Sequence, residues 1–334
     1  MAKVKIQGHA SGTGILTVTA PDTDVNRTIT LPDATGTLLS GAGGRRNMII
    51  NGDMRVQQRG TASVTSGYFV DRFTLSGCSA SAVLTSSTPT EFPTAISITA
   101  TSGNPIAGQK IESKNCQHLS GQTVIVSFYA KNISNATTLY TSLAVADNVD
   151  NFGASTTISE QNLGSLTGSW VKYTASWTVP AAGLNGLALS ILCAGTSTFT
   201  MGITGVQLEL GSTATDFEHR SYGEELSSCE RYYHRHTANV AGAGVCAGTI
   251  YSTTAAAAAY RYPTIMRTIP TLSYSAVGDF RVLYTTTKVV TAIAGERTIS
   301  GGRIWFTSSG MTAGNGMMID ANNTSCWLAF DAEL

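Results

Sequence analysis

The sequence predicts an all-β protein built around a two-sheet β-sandwich. Segments in which apolar and polar side chains alternate recur along most of the chain, and this is the period of a half-buried strand. Turn signals separate these segments, and 34 of the 334 residues are glycine. Strands that follow one another without intervening helices are typical of a sandwich or jelly roll.

Residues 1–45 are predicted to be an attachment segment. Residues 15–20 and 28–31 alternate like strands, and Pro21 and Pro32 end them because proline cannot donate to a β-ladder. Two short strands bury too little surface to be stable alone. A glycine-rich joint, SGAGG, follows them. We therefore expect this segment to become ordered only against another protein or against sister chains.

Residues 46–220 are predicted to form the sandwich, as a jelly roll. The strand candidates are residues 47–58, 68–75, 94–100, 122–131, 138–146, 169–179, 187–194 and 199–210. About eight strands in this range suit two packed antiparallel sheets.

Residues 221–236 predict one short helix that connects two β-domains. Ser221 and Glu224 have the spacing of a capping box. Apolar residues follow at helical spacing: Leu226, Cys229 and Tyr233. After this helix, residues 237–334 return to strand-like alternation and predict a smaller C-terminal β-sandwich.

Composition excludes several classes of protein. Lysine and arginine together number 21, as do aspartate and glutamate, so the basic excess of a nucleic-acid-binding protein is missing. No apolar run reaches the length of a membrane span.

The six cysteines lie far apart without CxxC pairs, which predicts buried thiols. Charged residues make up only 13% of the chain, which favours a surface that faces other chains.

Several stretches resemble bacteriophage tail-fibre and other virion appendage proteins. NRTITLPDATGTL is similar to their N-terminal repeats, and NMIINGDMRVQQRG and GVQLELGSTATDFEHRSYGEELSSCERYY resemble the opening and closing of a module common in such fibres. YRYPTIMRTIPTLSYS is similar to a segment of their distal domains. The middle module also resembles carbohydrate-binding jelly rolls, although Asn51-Gly52-Asp53-Met54 departs from their N-G-[DG]-F-E opening. The resemblance implies a homotrimeric host-adhesion fibre, assembled in the bacterial cytoplasm and exposed on the virion, whose residues 1–45 bind another tail or capsid protein.

No enzyme motif is present, so we expect no catalytic activity. The nucleophile elbow, the HExxH motif, the P-loop and the dinucleotide-binding fingerprint are all missing. A glycan depolymerase would need two carboxylates at hydrolytic separation. The candidates are Asp71, Glu91, Glu112, Asp147, Asp150, Asp216 and Glu218, and nothing in the sequence pairs them.

His234 and His236 are candidate metal ligands. Residues two apart on a strand face the same way, so three chains around an axis could offer six imidazoles to one transition metal. The alternative is a pair of solvated or hydrogen-bonded histidines. No other cofactor is expected.

Aromatic residues of the C-terminal domain are candidates for receptor binding, because the C–H face of a sugar packs on an exposed ring. The candidates are Tyr260, Tyr262, Arg303, Trp305 and Trp327, and each aromatic ring could instead belong to the core. Of Trp170 and Trp177 in the sandwich, at least one is expected in the core.

The sequence thus favours adhesion of a phage to the host cell surface, where the receptor is a glycan or a protein and the glycan is favoured. A purely structural virion component, such as a capsid decoration or tail-assembly protein, is one alternative, and a glycan depolymerase is the second.

Overall fold

The computed structural model describes residues 45–60, 63–180 and 184–334, leaving aside the side chains of residues 78–84. The predicted attachment segment lies outside the described residues, apart from Arg45. Residues 43–334 form one compact unit. Within it, one hydrophobic core is built from residues 49–208 and another from residues 238–332. Secondary structure is almost entirely strand, which confirms the predicted all-β fold class.

The first core lies inside a sheet of seven strands. These are β1 (Gly67–Val70), β2 (Phe73–Thr85), β3 (Ala95–Glu112), β4 (Thr123–Asn148), β5 (Asn151–Ser165), β6 (Val171–Thr178) and β7 (Gly186–Leu210). Their order is β1-β2-β3-β7-β4-β5, with β6 paired to the other end of β4. A short helix, α1 (Ser113–Cys116), and a 3-10 turn, Gln117–Leu119, follow β3.

The long strands β3, β4 and β7 bend, and so each contributes to both layers of the sandwich. The β4–β7 register shifts repeatedly between Asn132 and Thr138. Before this bend β4 also pairs with β6, and after it with β5. The predicted strands 122–131 and 138–146 are therefore two halves of one strand. Polar residues at the bend look like a turn in the sequence, yet the ladder continues through bulges.

Two further predictions about the sandwich are corrected. Residues 47–58 are largely buried but form no strand, because Asn51 and Met54 adopt left-handed φ angles of 61° and 60°. The Asn51 side chain closes this turn through hydrogen bonds with the backbone of Val56 and Asp71. Strand β5 was not predicted, since it is exposed and polar along most of its length.

The predicted helix is present but shorter than the prediction. It is α2 (Tyr222–Glu230), and the capping box is confirmed: Glu224 N–H donates to Ser221 Oγ, and Ser221 N–H donates to the Glu224 side chain. Tyr233 lies in the next strand, β8 (Tyr233–Thr237), and not on the helix. No helix among the described residues is long and apolar enough to cross a membrane.

The second core lies inside another seven-stranded sheet. Its strands are β9 (Gly244–Ile250), β10 (Ala255–Arg261), β12 (Phe280–Leu283), β13 (Thr287–Val289), β14 (Ala292–Arg297), β15 (Gly301–Thr307) and β16 (Gly316–Ala321). Three elements of this part of the chain lie outside the sheet: β11 (Thr271–Tyr274), a 3-10 turn (Val277–Asp279) and β17 (Trp327–Asp331). The order of the sheet is β13-β12-β16-β9-β10-β15-β14.

The two edge strands of this second sheet, β13 and β14, are consecutive in the chain, and only Val290 and Thr291 separate them. Each connecting residue extends the ladder of its own strand: Val290 N–H donates to Phe280 O on β12, and Thr291 N–H donates to Thr307 O on β15, at 3.0 and 2.8 Å. The connection therefore leads directly from one edge of the sheet to the other.

A three-stranded sheet, β11-β17-β8, packs on the second core and meets the sandwich through buried charges. Arg72 forms an ion pair with Glu333, and Arg59 contacts Asp331 and Glu333 at 3.1 Å each. The side chains of Arg72 and Glu333 are 1% and 4% exposed. The guanidinium of Arg72 also stacks 3.5 Å from the ring centroid of Tyr232. A polar contact therefore links the two halves of the compact unit.

The cysteines with described side chains are free thiols, and all but the half-buried Cys246 are buried. Burial raises the pKa of Cys116 to about 11 and that of Cys246 to about 12. The prediction of buried thiols is confirmed for Cys116, Cys193, Cys229 and Cys326.

Replacing Gly248 by alanine is expected to destabilise the second seven-stranded sheet by about 1–3 kcal/mol, because a Cβ there would lie 2.0 Å from Ala257 O. Gly316→Ala is the control, since it meets open space on the neighbouring strand. Denaturant unfolding measures both. Equal stability of the two variants would contradict the close approach of the β9 backbone at Gly248 to the β10 backbone at Ala257.

Candidate functional site

Tyr260 and Tyr262 lie in the second core and offer no exposed ring face. They are 9% and 8% exposed, and their ring centroids lie 4.9 and 4.7 Å from that of Phe330. Burial raises the pKa of Tyr262 to about 12. Both tyrosines are therefore core residues and not receptor-binding residues, which was the alternative considered for them from the sequence.

Arg303 and Trp305 do share an outward face of β15, as the spacing predicts. The residues paired with Trp305 are Ala257 on β10 and Ala294 on β14. These small neighbours leave the half-buried indole standing above the sheet. The guanidinium of Arg303 lies 4.7 Å from the ring centroid of Trp305.

Tyr251 completes this surface and was missed by the sequence analysis. It is 73% exposed, and its ring meets that of Trp305 edge to face, with centroids 5.7 Å apart and an interplanar angle of 87°. Tyr251 N–H donates to Ala255 O at 2.8 Å, within the tight turn between β9 and β10. A tyrosine directly before a Ser-Thr-Thr turn was the signal that could have found it. We call Tyr251, Trp305, Arg303 and Glu296 the Trp305 surface.

Glu296 neutralises the charge of this surface. Nε and Nη2 of Arg303 donate to Oε2 of Glu296 at 3.1 and 2.5 Å. Hydrogen bonding to Arg303 holds the pKa of Glu296 below its usual range, with a smaller contribution from a hydrogen bond to Trp305. The surface therefore combines two aromatic rings with an exposed, neutral guanidinium–carboxylate pair.

Trp327 lies apart from these residues, on the three-stranded sheet. It pairs with Thr237 across β8, and the guanidinium of Arg235 lies 4.4 Å from its ring centroid. Of the five predicted receptor-binding residues, Arg303 and Trp305 thus lie together on an outward face, and Tyr260 and Tyr262 lie together in the core.

His234 and His236 lie half-buried on the same face of β8. His234 Nε2 is 2.9 Å from Tyr260 Oη, its Nδ1 is 3.5 Å from Glu230, and its ring stacks at 9° on Phe330. Burial lowers the pKa of His236. No cluster of three metal-ligating side chains exists among the described residues of one chain. The proposed metal site between three chains stays a prediction.

Most of the candidate carboxylates take part in structural hydrogen bonds. Asp71, Asp150 and Glu218 accept from backbone N–H groups. Glu112 accepts from Arg231, Glu91 from Tyr129 and Asp147 from Thr156. These bonds anchor turns and strand ends of the sandwich.

In the sandwich, Trp177 is in the core and its indole N–H donates to Ser159 O at 3.1 Å, which confirms the prediction for this pair of tryptophans. Trp170 is half-buried, with Lys131 Nζ 5.0 Å from its ring centroid. Like Trp305, Trp170 is half-buried and lies beside a cationic side chain. Among the described residues, however, no exposed aromatic ring contacts Trp170 as Tyr251 contacts Trp305.

No family model and no curated protein matches the sequence. Among solved structures, the enzymatically active domain of bacteriophage CBA120 tailspike protein 4 is 18% identical, and the match covers 49% of this chain and 21% of that one, with a TM-score of 0.36. A putative sugar binding protein from Bacteroides thetaiotaomicron is 13% identical over 50% of this chain and 100% of that one, with a TM-score of 0.38. A C-terminal family 22 carbohydrate binding module from Clostridium thermocellum is 17% identical over 46% and 95%, with a TM-score of 0.33. At these TM-scores the similarities do not assign a function to the chain.

Proposed function

We propose that this chain is a bacteriophage virion appendage protein that attaches the particle to a glycan on the host cell surface. The resemblance of its N-terminal and module motifs to tail-fibre proteins supports the virion role. The Trp305 surface is the observation that carries the binding role: the exposed ring of Tyr251 meets the half-buried indole of Trp305 beside polar groups.

Such a surface suits a saccharide for physical reasons. The C–H face of a pyranose packs on an indole or phenol ring, while neighbouring polar groups bond its hydroxyls. An exposed surface buries little of a ligand, so a single site binds weakly. Three linked copies would raise the avidity without a tighter single site. In this proposal residues 1–45 anchor a homotrimer to the virion, and the C-terminal β-domain reaches the host.

Binding without cleavage is part of the proposal. The exposed pair on this surface is one carboxylate with one guanidinium, and hydrolysis of a glycoside needs two carboxylates across the scissile bond.

Trp305→Ala is expected to weaken binding of the full chain to bacterial lipopolysaccharides and capsular polysaccharides, printed as an array, by at least about tenfold. The reason is that the ring on which the sugar packs is removed. Trp170→Ala is the matched control, because this tryptophan is also half-buried beside a cation. Both variants should keep the thermal midpoint of the wild type to within a few degrees.

Three other outcomes would overturn parts of the proposal. Loss of binding in Trp170→Ala but not in Trp305→Ala would place the site on the sandwich. Failure of the wild type to bind any surface polysaccharide or host cell would favour the purely structural virion component. Release of oligosaccharides from a bound polysaccharide would favour the depolymerase.

A further inference from the structure

We infer that the binding surface extends from Trp305 to Arg261 and takes an acidic saccharide, whose carboxylate or phosphate pairs with the Arg261 guanidinium. The inference rests on the proposed function and names the class of glycan that the surface takes. It follows from which cation on this face of the sheet lacks an anionic partner.

Arg261 lies on the same outward face of the sheet as Trp305. It is the last residue of β10, and it is exposed. Its neighbour two residues back, Ala259, pairs with Arg303, and residues two apart on a strand face the same way. Arg261 is therefore the diagonal neighbour of Arg303, at about 7–8 Å. Directly opposite Arg261 on β15 is Gly301, which has no side chain to obstruct the guanidinium.

The charges beside the ring are already satisfied, whereas that of Arg261 is not. Oε2 of Glu296 accepts both recorded hydrogen bonds of Arg303. Glu296 is also hydrogen-bonded to Trp305, so the carboxylate, the guanidinium and the indole hold one another in place. Among the described residues Arg261 makes no hydrogen bond, ion pair or ring contact. An anion on the ligand can therefore pair with Arg261 without displacing a carboxylate of the protein.

Cations outnumber carboxylates on this part of the sheet. The charged residues of the adjacent strands β9, β10, β15 and β14 are Arg261, Arg303, Glu296 and Arg297. Arg303 and Glu296 neutralise each other. Arg297 is half-buried on the other side of β14 and forms no ion pair with a described residue. The excess of positive charge attracts an anionic ligand and gives a neutral one no advantage.

The ring and the free cation are far enough apart to contact different units of one glycan. Gly301, the partner of Arg261, is four residues before Trp305 on β15, which corresponds to ~13 Å along the strand. The outward positions of β10 over this stretch are Ala257 and Ala259, so a sugar chain can cross it without meeting a bulky side chain of that strand. One sugar ring then packs on Trp305, and the anionic group of another unit reaches Arg261.

The test compares acidic bacterial polysaccharides with their neutralised forms on the full chain. Carboxyl groups are reduced to primary alcohols in one sample and phosphate substituents are removed in another, which distinguishes the two sources of negative charge. For the wild type we expect the acidic form to bind at least about threefold more tightly than the neutralised form. Salt at ~1 M shortens the screening length to ~3 Å and should remove most of this preference.

Variants of the cation make the preference specific. Arg261→Gln should lower the ratio of acidic to neutral binding at least about threefold, because the free cation is lost. Arg261→Lys keeps the charge without the planar fork and should retain most of the ratio. Lys114→Gln is the control, since it removes an exposed cation of the sandwich, and it should leave the ratio unchanged. All three side chains are exposed, so the thermal midpoints should stay within a few degrees of the wild type.

The failures can be told apart. Binding that depends on Trp305 but shows no preference for the acidic form, or a ratio that Arg261→Gln leaves unchanged, would overturn this inference and leave the proposed function standing. If no polysaccharide of either form binds in a way that depends on Trp305, both fail.

Discussion

Replacing Arg72 by alanine is expected to lower the free energy of unfolding by about 3–5 kcal/mol. The variant leaves Glu333 buried with one cationic partner fewer, and it removes the stacking of Arg72 on Tyr232. Arg72 Nη2 also donates to Lys110 O at 2.5 Å, so a backbone carbonyl of the sandwich loses its donor. Denaturant unfolding followed by tryptophan fluorescence measures the change.

The matched variants separate charge from volume. Arg72→Met with Glu333→Gln removes both charges together, and we expect it to be less destabilised than Arg72→Ala, because no unpaired carboxylate stays buried. Arg303→Ala breaks a comparable pair on the surface and should change stability little, since exposed ion pairs are screened by water and salt. If Arg72→Ala is no less stable than Arg303→Ala, the buried pair does not hold the two halves together.

This contact also shows where prediction from the sequence ends. Arg72 and Glu333 are 261 positions apart. In the sequence Arg72 stands in an alternating segment, VDRFTL, and looks like a solvent-facing strand residue. Only the packing of the three-stranded sheet against the sandwich buries it. A local period cannot reveal a partner that tertiary structure supplies.

Features with a local cause were predictable. The capping box needs residues three apart, and Ser221 and Glu224 fulfil it. Inward-facing apolar positions of β4 and β7 follow from alternation, which requires only that one face be buried. The start of the helix and the all-β class were therefore expected correctly.

Features set by distant pairing were not predictable. The bends that join two predicted strands into one depend on bulges against β7. Strand β5 is held by its ladder to β4 and carries no apolar face. On the candidate surface, Trp305 and Arg303 share a face by simple spacing, whereas Tyr251 arrives there through a turn between β9 and β10. The sequence spacing also places Tyr260 and Tyr262 on one face, but that face packs into the second core.

Asp71 should make the stability of the protein fall as the pH rises from about 5 to 7. Burial raises the pKa of its carboxyl to about 7, against a smaller opposing effect of the Gln58 N–H that donates to Oδ2 at 2.6 Å. Arg59 and Arg72 favour the charged form, whereas Glu333 disfavours it. Oδ1 has no hydrogen-bond partner among the described residues.

The direction follows from proton counting. An unfolded chain releases the Asp71 proton near pH 3.8, while the folded chain keeps it until about pH 7. Between these values the folded state holds the extra proton, so each unit of rising pH costs up to about 1.4 kcal/mol of stability, and the loss levels off above pH 7. His236, whose pKa burial lowers, gives an opposite slope below about pH 6.5.

Asp71→Asn isolates this effect, because it cannot titrate and His236 contributes equally to both proteins. The difference between variant and wild type should already favour the variant at pH 5, because the loss begins near pH 3.8, and it should grow until about pH 7, to a few kcal/mol on the order of the pKa shift. Thermal or denaturant unfolding at pH 5, 6, 7 and 8 measures it, with Asp147→Asn, an exposed carboxylate, as the control whose curve should run parallel to that of the wild type. If the difference in stability between variant and wild type were the same at every pH, Asp71 would be ionised throughout the series. The attraction of Arg59 and Arg72 for its charged form would then be stronger than the effect of burial.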